Sequence, residues 1–176
     1  MVLILPVCVI FEEKYLQMNF KIRQAIPQDM PQVHALITEL AIFEKEPDAV
    51  EITISDLETD GFGAHPAFKC FVAEVDDKVE GIALVYSRYS TWKGKVLHLE
   101  DLIVSQNMRS SGLGTALLDE VVRYGSQLGV KRICWEVLDW NAPAIEFYQK
   151  KGADVKRDWD VVHLTEDGIK NYIATL

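Results

Sequence analysis

The stretch Leu97-His98-Leu99-Glu100-Asp101-Leu102-Ile103-Val104, continued by Ser105-Gln106-Asn107-Met108-Arg109-Ser110-Ser111-Gly112-Leu113-Gly114-Thr115, decides how this chain is read. Leu97, Leu99, Ile103 and Val104 mark a largely buried strand, yet Glu100 and Asp101 stand where a pure core strand would carry valine or isoleucine. Beyond the turn, Leu113, Leu117, Val121, Tyr124 and Leu128 recur at helical spacing, the stripe of a helix that faces a sheet. Gly112 and Gly114 therefore fall at a helix N-terminus. Backbone N–H groups without intrahelical partners gather there, the helix dipole adds partial positive charge, and glycine lets an anion approach the backbone. Phosphate suits such a turn, although two glycines alone also mark a tight turn or a close helix–strand contact.

Outward from this run the chain alternates elements. Phe20, Ile22 and Gln24 start a short strand. Met30, Val33, Leu36, Ile37 and Leu40 then predict a helix, with Asp29 as its cap. Ser55-Asp56-Leu57-Glu58 has the form of a capping box for a second helix that stops near Gly61. Phe68 to Val75 and Val79 to Tyr89 predict a hairpin turned at Asp76-Asp77-Lys78, and Thr91 to Gly94 turn into the strand that holds Glu100. Helix, strand and helix follow: a strand over Arg132 to Leu138, then Asn141 as N-cap, Pro143 in the first turn and Gly152 as the stop. A last strand is expected over Trp159 to Leu164 and a terminal helix after Thr165. This order predicts an α/β chain with a mixed, mostly antiparallel sheet.

Arg109-x-x-Gly112-x-Gly114 together with Trp140-Asn141-x-Pro143, Phe147-Tyr148-x-Lys150 and Gly152-Ala153 resembles the GCN5-related N-acetyltransferase superfamily. Glu39 to Lys45, Asp60-Gly61-Phe62-Gly63, Ser90-Thr91-Trp92-Lys93-Gly94, Leu99-Glu100-Asp101 and Val137-Leu138-Asp139-Trp140-Asn141 resemble its diamine acetyltransferase branch, from about Phe20 to near the C-terminus. Ser90 to Gly94, Val137 to Asn141 and Phe43-Glu44-Lys45 are more similar to the thialysine enzymes of that branch than to the polyamine ones. The resemblance implies the acyl-CoA N-acyltransferase fold, acetyl-CoA as co-substrate without a metal, a small amine as acceptor, and a homodimer.

Acetyl transfer from a thioester to an amine needs a neutral amine, a place for negative charge on the thioester oxygen, and a proton for the departing thiolate. An alkylammonium titrates near 10, so at neutral pH only about one molecule in a thousand is nucleophilic. Glu100 is the candidate general base, directly or through water. The alternative is a carboxylate that merely pairs with a neighbouring lysine or arginine. Adjacent strand residues point to opposite faces, so Asp101 joins Glu100 only if the strand carries a bulge, which the resemblance implies. Such a bulge would free backbone N–H groups near Leu102, Ile103 and Val104 for the pantetheine arm and the oxyanion. His98 shares the regular-strand face of Glu100 and could relay a proton, or be a satisfied structural histidine.

Tyr148 matches the family's catalytic tyrosine, the general acid for the thiolate; by spacing alone it is a tyrosine packed against a sheet. The resemblance assigns the pyrophosphate to Arg109 and the backbone of Ser110, Ser111, Gly112, Leu113, Gly114 and Thr115, with Asn141 and Lys150 as further cofactor contacts. Ser110 stands where many relatives carry glycine, and Lys150 where the polyamine branch has arginine. Phe43, Glu44, Trp92, Glu100 and Asp101 lie where the resemblance places the amine pocket, and an aromatic–carboxylate wall suits an alkylammonium chain. Asp154-Val155-Lys156-Arg157-Asp158-Trp159 is shorter and more basic than the corresponding loop of the polyamine branch, which favours a small amino acid such as thialysine or lysine.

Length and composition agree with one domain over 18–176. The chain has 176 residues, 49% hydrophobic and 26% charged, enough to bury a core. No run reaches the roughly 20 apolar residues of a membrane span. A net charge of −9 disfavours nucleic acid and favours a cationic ligand. Cys8, Cys70 and Cys134 are too few and too scattered for a disulfide or metal framework, which suits the cytoplasm, with Cys70 and Cys134 in buried strands. The apolar segment 1–17 lacks a basic start and a cleavage site, and Met18 is expected to be the natural start. Competing readings are a protein or peptide amine acetyltransferase and a non-catalytic acetyl-CoA sensor.

Overall fold

The computed structural model describes residues 19–176, so the expectation about Met18 and segment 1–17 lies outside the described residues. The chain divides between Glu136 and Val137 into two compact units.

The first unit holds five strands in the order β1 (Phe20–Gln24), β2 (Lys69–Val75), β3 (Lys78–Ser90), β4 (Gly94–Val104) and β5 (Ile133–Cys134). Successive neighbours are antiparallel except β4 and β5, which run parallel. The sheet is thus mixed and mostly antiparallel, as the element order predicts. Asp76 and Asp77 turn the β2–β3 hairpin with φ of +48° and +60°, the left-handed pair that a two-residue hairpin loop needs and aspartate tolerates.

Among the described residues this unit also holds the α-helices α1 (Met30–Phe43), α2 (Ile54–Phe62) and α3 (Leu113–Gln127). Strand alternation divides their work. Cys70, Val72, Ile82 and Ile103 point one way and cluster with Met30, Val33 and Leu36 of α1 and Leu57 of α2. Phe71 points the other way and meets Tyr124 of α3 edge-on at 5.5 Å. Leu113, Leu117, Leu118 and Val121 bury the same side of α3, each contributing about 1.5–3 kcal/mol. Leu128, expected on that stripe, is instead exposed, because it caps the helix rather than continuing it. The approach of α3 depends on Gly81, where an added Cβ would meet the Ile103 carbonyl at 3.0 Å and Leu117 at 3.1 Å.

Local expectations shift in places. Asp29 occupies the N-cap position of α1 without capping it, because Arg23 and the Ile26 N–H hold its carboxylate. The capping box of α2 is Thr53 with Asp56, not Ser55 with Glu58, because Thr53 is the residue in extended backbone whose oxygen receives the Asp56 N–H. The strand expected over Arg132 to Leu138 pairs only at Ile133 and Cys134. Its partner β4 bulges two residues past the last pair, and a bulge bends the strand away from its ladder.

The second unit carries α4 (Ala142–Lys150) and α5 (Glu166–Ile173). The Asn141 side chain accepts the Ala144 N–H at 3.3 Å and caps α4, and Thr165 caps α5 through the Gly168 N–H. Trp159 to Leu164 is not a strand; it has no ladder partner among the described residues, and its apolar side chains lie exposed.

Candidate active site

The site starts from one extra residue in β4. Leu84 pairs with Asp101 and Val85 with Leu99, which leaves Glu100 opposite no partner, so the bulge lies at Glu100. Directly opposed residues share a face. Tyr86 opposes His98, and Leu84 opposes both Cys70 and Asp101, so His98 and Asp101 both lie on the α1 side of the sheet. A regular strand would send residues three apart to opposite faces.

Burial separates the two adjacent carboxylates of β4: Glu100 is exposed and Asp101 only partly so. As the bulge residue Glu100 tilts outward, with 52% of its side chain exposed and its carboxylate 3.5 Å from His98 Nε2. The carboxyl that burial perturbs is Asp101. It is pushed up to about 6, first by burial and then by the charges of Glu100 and Glu44. Glu44 caps the C-terminus of α1, and burial raises its carboxyl too. The fold thus brings Glu44, Glu100 and Asp101 together from two separate elements. Trp92 is 80% exposed in the β3–β4 turn.

The turn before α3 has the backbone of an anion cradle. Gln106–Met108 form a 3-10 turn, then Ser110 and Gly112 adopt φ of +62° and +92° before α3 opens at Leu113. With the unpaired N–H groups at the start of α3, this glycine-containing turn fits a pyrophosphate. At +62° Ser110 occupies the left-handed region, which suits glycine and costs an ordinary side chain about 1 kcal/mol. Ser111 Oγ donates to the Met108 carbonyl at 2.5 Å and closes the turn. Arg109 reaches back toward α1, 3.8 Å from Glu39 and with its guanidinium 4.9 Å from the Phe43 ring centroid. Glu39 also accepts the Gln106 N–H at 2.8 Å, so α1 steadies the turn. Because β5 pairs only with Leu97 and His98, no described strand covers that edge of β4 over Leu102, Ile103 and Val104.

In the second unit Tyr148 is buried on α4, beside Phe147 at 5.3 Å between ring centroids, and burial pushes its phenol up to about 12. Lys150 is exposed and lies 3.7 Å from Glu146 one turn back. Sequence reasoning missed Tyr86. Its ring lies 4.9 Å from that of His98, and burial, then the charge of Glu100, raises its phenol. The β3–β4 register is the signal that exposes it, because Tyr86 opposes His98.

Residues 31–153 match the Acetyltransferase (GNAT) family. The thialysine N-epsilon-acetyltransferase of Bos taurus is 37% identical over 140 residues, covering 75% of this chain and 82% of that protein. Human spermidine/spermine N(1)-acetyltransferase-like protein 1 is 39% identical over 145 residues, covering 76% of this chain; this chain spans only 20% of that longer protein. Among solved structures, an integron cassette protein from V. cholerae superposes with a TM-score of 0.72 at 23% identity, over 89% of this chain and 98% of that one, a likeness of fold. Family match, identity and fold agree: the chain belongs to the acetyltransferase (GNAT) family, and with it to the acetyl-CoA-dependent N-acetyltransferases.

Proposed function

We propose that this chain moves the acetyl group of acetyl-CoA directly to a small primary amine, a thialysine- or lysine-like amino acid or a short diamine. The observation that carries the reading is the gathering of Glu44, Glu100 and Asp101, in which burial and like charge push Asp101 up to about 6. Carboxylates held together at such a cost are relieved by a proton or by a bound cation. A substrate with an ammonium group supplies the cation, and similarity to the thialysine enzymes supports the same choice.

Glu100 receives the ammonium and helps remove its proton, being the exposed member of the group. Arg109 and the backbone of Ser110 to Thr115 hold the pyrophosphate, with Asn141 and Lys150 as further contacts; the uncovered edge at Leu102 to Val104 holds the pantetheine arm and stabilises the oxyanion. Phe43 and Trp92 supply apolar surface to the substrate chain. Tyr148 protonates the leaving thiolate, and its raised phenol keeps that proton at neutral pH. Tyr148→Phe should lower kcat about 100-fold and leave the KM for acetyl-CoA nearly unchanged. A cytoplasmic homodimer completes the reading; sedimentation measures the dimer.

The deciding experiment follows thiol release from acetyl-CoA with thialysine, lysine, spermidine, putrescine and a lysine peptide. Fast release with thialysine or lysine supports the reading. Release with the peptide alone replaces it with a protein acetyltransferase, and tight acetyl-CoA binding without release replaces it with a sensor.

A further inference from the structure

Gln106 opens the short 3-10 turn that leads to the glycines before α3, and its N–H finds no partner within that turn. The preceding side chain is the usual source of a cap. Ser105 stands there, but its hydroxyl donates to Glu80 and makes no cap bond. The bond comes from α1 instead, where Glu39 Oε1 accepts the Gln106 N–H at 2.8 Å across 67 residues of sequence. The same oxygen lies 3.8 Å from Arg109 Nη2. Two further contacts hold the guanidinium: its Nε donates to the Val104 carbonyl at 3.4 Å, and its central carbon lies 4.9 Å from the Phe43 ring centroid. Glu39 and Phe43 are four residues apart, so they share one face of α1, and Arg109 rests on that face.

From this geometry we infer that Glu39 is a positioning residue for acetyl-CoA: it caps the Gln106–Met108 turn and holds Arg109 against α1, so that the pyrophosphate meets both already in place. This rests on the reading above that Arg109 and the turn before α3 hold the pyrophosphate. An arginine side chain has many rotamers, and fixing it before the ligand arrives moves that entropic cost from binding to folding. Its planar fork carries five N–H donors, so the contacts with Val104, Glu39 and Phe43 leave donors for phosphate oxygens.

A carboxylate near a pyrophosphate is unfavourable by itself, because like charges repel. Positioning and simple repulsion therefore predict opposite signs when the charge of Glu39 is removed. The arrangement also links two sites through one helix. Phe43 shares the face that holds Arg109, and Glu44 follows at the end of α1, so α1 fixes the acetyl-CoA turn relative to the amine pocket.

The test is calorimetric binding of CoA to the whole chain, which needs no acceptor amine. Glu39→Gln keeps the shape and an oxygen for the Gln106 N–H but removes the charge beside Arg109. Its Kd for CoA should rise about fourfold, near the top of the range for a partly exposed ion pair. Glu39→Ala removes the cap as well, and the rise should reach about tenfold. Arg109→Ala should weaken CoA by at least about tenfold. On that background Glu39→Gln should weaken CoA no further, because the cation through which it acts is gone. In thiol release with thialysine, the loss in Glu39→Gln should fall on the KM for acetyl-CoA, with kcat within about twofold. Tighter or unchanged CoA binding in Glu39→Gln overturns the proposal, as does an equal loss with and without Arg109 or a loss carried by kcat alone. If Arg109→Ala binds CoA as the wild type does, the pyrophosphate reading fails and the proposal falls with it. If the wild type releases no thiol with any amine, the small-amine reading fails instead, and CoA binding still decides the role of Glu39.

Discussion

Two carboxylate groups in the first unit use the same residue types to opposite ends. Near the N-terminal strand, Arg23 binds Asp29 through two nitrogens at 2.6 and 2.9 Å and Glu74 at 2.6 Å, while Asp29 also accepts the Ile26 N–H. Arginine bonding holds Asp29 well below the usual carboxylate range. On β4, by contrast, Asp101 is pushed up to about 6, first by burial, and the charges that act on it are those of two more carboxylates. The Arg23 group is complete within the chain and serves the fold. The Glu44–Glu100–Asp101 group is repulsive by itself, and such stored repulsion marks a place for a ligand.

The sharpest way to break this contrast is Glu100→Gln. Its side chain is exposed, so stability should hardly change while kcat falls at least about 100-fold, read from thiol release beside urea denaturation. Arg23→Leu should do the reverse. It leaves Asp29, whose side chain is 7% exposed, without its cation, and should cost about 3 kcal/mol in urea unfolding, with turnover per folded molecule unchanged. Equal losses of turnover in both variants would erase the distinction.

Asp101→Asn sharpens the comparison through pH. Its carboxyl rises from an ordinary 3.8 to about 6 in the folded chain, so between those values the folded state holds a proton that the unfolded state has lost. Stability is therefore fully present below about 4 and falls as pH rises through 6. The amide should remove that slope and add about 3 kcal/mol at pH 7.5, measured by denaturation at pH 4, 5, 6 and 7.5. The smallest effect concerns strain rather than charge: Ser110→Gly should raise stability by about 1 kcal/mol or less, seen as a small rise in Tm.

The sheet, the helices around it and the anion turn were legible because each rests on local signals: periodicity, caps, and glycine at Gly112. The chemistry of the carboxylates was only half legible. Glu100 stood out as a charge in an apolar run, but the larger share of the burial falls to Asp101, since one unpaired residue in β4 sets their surroundings apart. Tyr86 and the contact of Cys134 Sγ with His98 Nδ1 were not legible at all, because cross-strand register relates residues far apart in sequence. Trp159 to Leu164 looked like a strand by composition, and composition does not supply a pairing partner.

By itself the sequence determined which residue types are present and what local backbone they prefer: the capped helices, the left-handed turn before α3, the two acidic residues inside an apolar strand, and the tyrosine near the end of α4. Only the tertiary structure decided which carboxylate is the less exposed, which way each ring nitrogen of His98 faces, and that α1 adds Glu44 to the pair on β4. The physical reason is range. Caps and turns are settled within a few bonded neighbours, whereas desolvation and Coulomb repulsion depend on which atoms lie within a few ångströms across the fold, and a single bulge resets those neighbours.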